Sequence, residues 1–429
     1  VVPAVCGLAA ANLYRELEES RMGLELLALA ARSRCGKAMI LSSPIPVTVV
    51  SAFEAMRCRF EFVLVGADEP FLLAAAEEAQ AEVTACEARL SAFSPGSLLS
   101  CVNREAAERW VAVDMDTFSL LLLAMRVWKV SGGGFDPTIG PLLRSWGLRS
   151  RSSESGKGKG DNAEGADDIP VGMNYVELDE ARCAVRFLRP GIELDLGGIA
   201  KGHGLDLAAA SLRDNGVTSA LLHGGTSSVV AIGSSSTAYE PAILQGTETS
   251  RVWRVQVAAP PETYVTTSSD SPTGPSEWDP RHEDLGIEVS SVHHSAEDGG
   301  EGRGGSVRPG PLCYVDLSGA ALGVSAPHGR LVRGDKGELL GHIISPLTRR
   351  PVMSVAAAAA VCDTAAEADA WSTAMVALDG SQMPTIAQSA GPPLRSWLVR
   401  PRGERGTVVG PDCPPGQRNR LYSYSEVVI

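Results

Sequence analysis

Glu193-Leu194-Asp195-Leu196-Gly197-Gly198-Ile199-Ala200-Lys201-Gly202 reads as a short apolar strand that passes through a glycine pair straight into a helix, and few folds accommodate that junction. The helix continues from Ala200 to Asn215 and stops at Gly216, a residue suited to the turn beyond a helix end. A helix start exposes backbone N–H groups without intrahelical partners, and Lys201 adds a positive charge beside them. A pyrophosphate suits such a place. The same glycines equally serve a tight turn with no ligand. The spacing is not G-x-G-x-x-G, so a Rossmann-type dinucleotide fold is not indicated.

Around the junction, strand-like stretches (Phe60 to Val65, Trp253 to Val257, Val355 to Val361) mix with helical spacing over Leu72 to Leu90 and Phe118 to Val130. No strict βαβ order appears, which predicts an α+β fold. Residues 1–48 read as a helical appendage, with Leu13, Leu17, Leu24 and Leu27 at helical spacing, ahead of one domain over 49–429. Two segments, near 149–168 and 263–310, are rich in Ser, Gly and charge. Neither buries enough apolar surface to offset the entropy of ordering it, so both are expected to be disordered insertions on one core.

Composition narrows the partners. With 51 Asp+Glu against 38 Lys+Arg, a broad nucleic-acid-binding face is not expected. No apolar run is long enough to span a membrane, so a soluble chain is expected. Nine scattered cysteines with no C-x-x-C pair suggest no zinc site and mildly favour a reducing compartment. The chain opens at Val1, and Val5 before Cys6 is a poor match to lipoprotein processing, so cytoplasmic and exported locations both stay open.

Three further motifs carry chemistry. In Glu367-Ala368-Asp369-Ala370-Trp371-Ser372-Thr373-Ala374, Asp369 and Thr373 stand one helical turn apart, offering two hard oxygens of the kind magnesium takes. Taken alone, an aspartate at this point is more often a helix cap or a solvated carboxylate. In Ser131-Gly132-Gly133-Gly134-Phe135-Asp136-Pro137-Thr138, the glycines allow a flat ligand to approach, Phe135 to lie on a ring and Asp136 to accept from its edge; a plain glycine turn is the alternative. In Gly341-His342-Ile343-Ile344-Ser345-Pro346, His342 is either a general base or a structural histidine.

Their order and spacing resemble the FAD:protein FMN transferase (ApbE-like) family, which moves FMN from FAD onto a Thr or Ser hydroxyl of a target protein. The likeness runs from about Phe53 to the last strands. Glu87 to Asn103 resembles the segment that sets an aromatic, here Phe93, beside the flavin, and Asp195 to Gly202 resembles the D-L-G-G-I-A-K-G signature. Leu222 to Gly225 is similar to the family's glycine pair. The resemblance implies an α+β core related to the T-fold, with FAD as substrate and Mg²⁺ as cofactor. It implies FAD contacts from Met56, Phe93, Gly134, Phe135, Asp136, Asp195, Lys201 and Ile343. It also implies magnesium ligands at Gly198, Asp369 and Thr373 with Ser372 close by, and catalytic roles for His342 and Lys201.

The implied partner is a flavin-acceptor protein with a D-x-x-S-G-A-T-like motif. Within this chain Asp316 to Ala321 resembles part of that motif, with Ala321 in place of the accepting hydroxyl, so no self-flavinylation is expected there. Leu317, Ala320 and Leu322 are expected to pack inside instead. Departures from the family pattern are Met56-Arg57-Cys58 for M-G-T, Gly224-Gly225-Thr226 without an acid, and Ser345-Pro346-Leu347-Thr348-Arg349 for D-P-R-T-G. FAD pyrophosphate hydrolysis and flavin binding with impaired turnover are the alternative functions.

Overall fold

Side chains alternating between two faces, both of them covered over the central strands, build the main sheet. A computed structural model describes residues 46–148, 168–234, 252–258, 311–327, 331–333, 339–379 and 395–399. In chain order these form β1 (Val47–Ala55), β2 (Cys58–Gly66), α1 (Glu69–Leu90), α2 (Leu98–Glu105), β3 (Val111–Ala112), α3 (Met115–Val130) and α4 (Gly140–Ser145). There follow β4 (Val176–Asp179), β5 (Ala184–Phe187), α5 (Ala200–Asp214), β6 (Ala220–Gly224), β7 (Ser228–Ile232), β8 (Trp253–Ala258) and β9 (Pro311–Leu317). The last are β10 (Ala321–Ser325), β11 (Leu331–Arg333), β12 (Leu339–Gly341), β13 (Ala357–Cys362), α6 (Ala365–Ala377) and β14 (Arg395–Val399).

Seven strands pair antiparallel in the order β1-β2-β6-β7-β10-β13-β14. Phe60, Phe62 and Leu64 of β2, Ala220 and Leu222 of β6, and Val230 and Ile232 of β7 face α1 and α5. The intervening Leu221, Val229 and Ala231 face the β8–β9 ribbon, whose Trp253, Val255, Val257, Val315 and Leu317 seal the second face. Both faces are dry, which is why β7 is buried along its whole length. The small β3-β5-β4 sheet, α2 and α3 join the core that encloses Phe135 and Trp371.

The chain is α+β, as its mixed pattern predicts. Helix α1 starts at the cap Asp68, whose carboxylate accepts from Phe71 N–H at 3.1 Å, and its buried Leu72, Ala75, Ala76, Ala79, Val83, Cys86 and Leu90 form one stripe. Helix α5 closes at Asn215, with Gly216 at φ 90° beyond it. Leu317 and Leu322 are fully buried, as expected of the acceptor-like segment, and Ala320 is partly buried against them.

One expectation needs correction. Glu193 to Leu196 is extended but belongs to no ladder. The Asn103 side chain brackets it instead: its amide donates to Leu194 C=O at 2.8 Å, and its oxygen accepts from Leu194 N–H at 2.7 Å. An amide side chain thus does the work of a neighbouring strand. The expected N-terminal helix and both polar segments lie outside the described residues, save that Val47 and Thr48 open β1 and Asp168 is described.

Candidate active site at the start of helix α5

Three elements meet at the site because two glycines let them approach. A Cβ on Gly202 of α5 would lie 2.3 Å from the Ala365 carbonyl carbon and oxygen of α6. One on Gly323 of β10 would lie 2.5 Å from the Ala368 carbonyl. The Asp206 carboxylate, one turn along α5, ties the start of α6 down by accepting from Ala365 N–H (2.8 Å) and Ala366 N–H (2.9 Å). Thr364 adds a side-chain cap for Glu367 N–H.

This packing carries Asp369 into the interior, where it is 5% exposed. Ser228 Oγ, at the head of β7, donates to its carboxylate, lying 2.8 Å from Oδ1 and 2.9 Å from Oδ2; Gly202 N–H donates to Oδ2 at 2.9 Å. Burial pushes the Asp369 carboxyl up to about 6, opposed by the nearby Lys201 charge and by the hydrogen bonds from Ser228 and Gly202. Asp206 rises to about 7, again through burial, partly offset by its two backbone donors. Asp369 is no helix cap.

A set of hydroxyl groups follows Asp369 along α6. Ser372 Oγ donates to Asp369 C=O at 3.1 Å, and Ser325 Oγ of β10 lies 2.8 Å from Ser372 Oγ and 3.2 Å from Thr373 Oγ1. Gly198 faces the same place: a Cβ there would sit 3.4 Å from Thr373 Oγ1 and 3.3 Å from the Phe135 ring. The structure therefore brings Gly198, Lys201, Asp369, Ser372 and Thr373 together. Among the described residues no three His, Cys, Asp or Glu side chains gather as metal ligands; this pocket combines one carboxylate with hydroxyl groups. Two of the amides expected to face a phosphate are engaged within the protein, Gly202 N–H by Asp369 and Gly197 N–H by Asp195 Oδ1 at 2.9 Å.

The glycine loop is built for packing as much as for access. Gly132 and Gly133 have φ of 60° and 88°, whereas Gly134 is small because a Cβ there would meet Leu378 at 2.5 Å. Phe135 is 4% exposed and part of the core. Asp136 is also buried and caps the 3₁₀ turn Pro137–Ile139, its Oδ1 accepting from Thr138 N–H (2.9 Å) and Thr138 Oγ1 (2.6 Å). Burial raises its carboxyl and the Thr138 hydrogen bonds pull it back.

Met56 lies at the β1–β2 tip, its Cε 3.1 Å from the Cβ position of Gly204 on α5. Arg57 beside it sits over the Phe93 ring. His342 is half-buried, with Nδ1 3.1 Å from Pro327 C=O. A carbonyl only accepts, so Nδ1 carries the proton and Nε2 is the basic nitrogen of the neutral ring. Ile343 is buried, and its C=O accepts from Val352 N–H at 2.9 Å.

Sequence reasoning missed Ser228, Ser325 and Asp206. Ser228 and Ser325 stand on strands far along the chain from Asp369, and no local spacing marks them. Asp206 had a signal: an acid on the face of α5 shared with Gly202, four residues earlier.

Comparison with known proteins gives this arrangement its context. FAD:protein FMN transferase of Rhodobacter capsulatus is 28% identical over 70% of this chain and 46% of its own length. A Klebsiella pneumoniae protein of the same name is 33% identical over 29% of this chain and 38% of its own. The chain thus spans less than half the length of these two relatives. A further Klebsiella pneumoniae FAD:protein FMN transferase matches at 21% identity over 87% of this chain and 90% of its own length. Among solved structures, the ApbE protein of Thermotoga maritima has the same fold, with a TM-score of 0.60 at 22% identity over 85% of this chain and 97% of that one. Flavin transferase ApbE from Vibrio cholerae gives 0.57 at 18% identity, with the same coverage. The ApbE family model matches residues 53–273 and 299–395, well over half of the sequence and both sides of the site just described, and the chain belongs to the ApbE family.

Proposed function

We propose that this chain transfers FMN from FAD to a Thr or Ser hydroxyl of an acceptor protein, releasing AMP. The observation that carries the reading is the buried Asp369 carboxylate, held by Ser228 and by Gly202 N–H at the glycine-paired start of α5, with the Ser372 and Thr373 hydroxyls one helical turn along α6 and linked through Ser325. Named relatives of the family are FAD:protein FMN transferases, which supports the substrate.

The donor set fits magnesium. All its atoms are oxygens, and the Asp369 carboxylate offers about four lone-pair sites, of which Ser228 and Gly202 take only part. Asp369, Thr373 and the Gly198 carbonyl would hold the ion, with Ser372 alongside. Bound there, Mg²⁺ would neutralise charge on the pyrophosphate.

The chain's own residues do the rest. Lys201 offsets pyrophosphate charge from the first turn of α5, and Phe93 offers a face to the flavin ring. The acceptor oxygen attacks the phosphorus of the FMN half, the bond to the bridging oxygen of AMP breaks, and AMP leaves with that oxygen. His342 Nε2 takes the acceptor's proton. The acceptor protein would carry a D-x-x-S-G-A-T-like motif.

AMP release from FAD is the test, measured with and without Mg²⁺ and with and without a peptide carrying that motif. Release should need Mg²⁺, rise with peptide and give a flavin-labelled peptide by mass, and Asp369→Ala should cut it at least about a hundredfold. Mg²⁺-dependent release indifferent to peptide would replace the transferase reading by hydrolysis. FAD binding without release would leave only a binding protein.

A further inference from the structure

Arg57 occupies a position whose backbone disfavours it. Met56 and Arg57 form the two-residue turn joining Ala55 to Cys58, with φ of 49° and 63°, a left-handed pair for which Asn and Gly are the usual choices. The Arg57 side chain is exposed, so core packing does not compensate. What its guanidinium does meet is Phe93, whose ring centroid lies 5.8 Å from the guanidinium carbon. Met56 seats the tip against α5 at Gly204, three residues on from Lys201. A strained turn therefore holds a planar cation over an aromatic face beside the candidate site.

We infer that Arg57 is the second wall of the flavin site, with the isoalloxazine ring clamped between its guanidinium and Phe93. This rests on the reading of Phe93 as the ring's stacking partner. Two stacked contacts need about 7 Å between the outer groups, so the 5.8 Å gap has to widen by only roughly 1 Å. A long exposed side chain moves that far with little resistance. Driving the arginine off would forfeit its aromatic contact, whereas clamping exchanges Phe93 for a larger π surface. The clamp thus selects wide, flat ring systems that both faces can stack on.

Titrating FAD, and riboflavin, which lacks the phosphates, into wild type, Arg57→Gly, Arg57→Lys and Phe93→Leu tests this by flavin fluorescence. Glycine adopts the left-handed turn without strain, so Arg57→Gly should melt at or above the wild-type temperature. The clamp expects that variant to weaken both ligands by a similar factor of about two to five, with lysine intermediate because it lacks the planar face. Weakening of FAD alone would assign Arg57 to the phosphates and overturn the clamp. Tighter binding would make Arg57 a cover over Phe93, and unchanged binding would make it a bystander; either overturns the inference. If Phe93→Leu binds FAD as well as wild type does, the Phe93 reading fails and the clamp with it.

Discussion

Asp369 shows what the fold tolerates to keep a carboxylate in its interior. Burial raises it to about 6 and its neighbour Asp206 to about 7, both above the ordinary 3.8. A carboxyl whose folded pKa lies above its unfolded one contributes stability that is complete below the unfolded value and is lost as pH rises through the folded value. The apo protein should therefore lose several degrees of melting temperature between about pH 4 and pH 7, and Mg²⁺ should restore more at pH 7 than at pH 5. A scan of melting temperature against pH, with and without the ion, checks both; a rise across that window would contradict the burial argument. Ser228 is the residue that makes the charge bearable. Ser228→Ala should cost about 1–3 kcal/mol at pH 8, where Asp369 is ionised, and less at pH 5. Denaturant unfolding at the two pH values reads the difference.

Helices α5 and α6 touch through backbone, and that contact sets the site's dimensions. Gly202→Ala would drive a methyl group to 2.3 Å from the Ala365 carbonyl, a backbone atom that cannot swing aside. About 3 kcal/mol or more should be lost, together with Mg²⁺-dependent activity. Gly216→Ala meets nothing within 4 Å and suffers only from its φ of 90°, at about 1 kcal/mol. If both substitutions cost the same, helix contact at Gly202 is not what shapes the site. The helices and strands themselves were legible, since α1, β2 and α5 write their buried faces as periods of 3.6 and 2. Glu193 to Leu196 misled because an apolar run says nothing of whether a strand or the Asn103 amide will satisfy its backbone. Asp369, Thr373, Gly198 and Lys201 were legible as motifs. Ser228 and Ser325 were not, because they reach the site through strand order, which local spacing does not encode.

At the scale of the whole core, the seven-stranded sheet needs cover on both faces, and the β8–β9 ribbon supplies it on the side away from α1 and α5. The chain between these two strands is long and polar, yet its anchor points are neighbours, for Ala258 pairs with Pro311. The ApbE family match also breaks inside that stretch, between residues 273 and 299. Closing a loop whose ends already adjoin becomes easier as the loop shortens, by about 0.6 kcal/mol for each halving. Replacing residues 263–306 with a short Gly/Ser turn should then leave the melting temperature equal to or slightly above wild type, and FAD affinity unchanged. Trp253, buried in the ribbon and donating to the Ile232 carbonyl at 3.3 Å, gives a fluorescence reporter of whether the cover stays in place. A red-shifted emission with loss of cooperative melting would show that the removed stretch helps hold the ribbon on the sheet. An intact ribbon with weakened FAD binding would assign that stretch to the ligand instead.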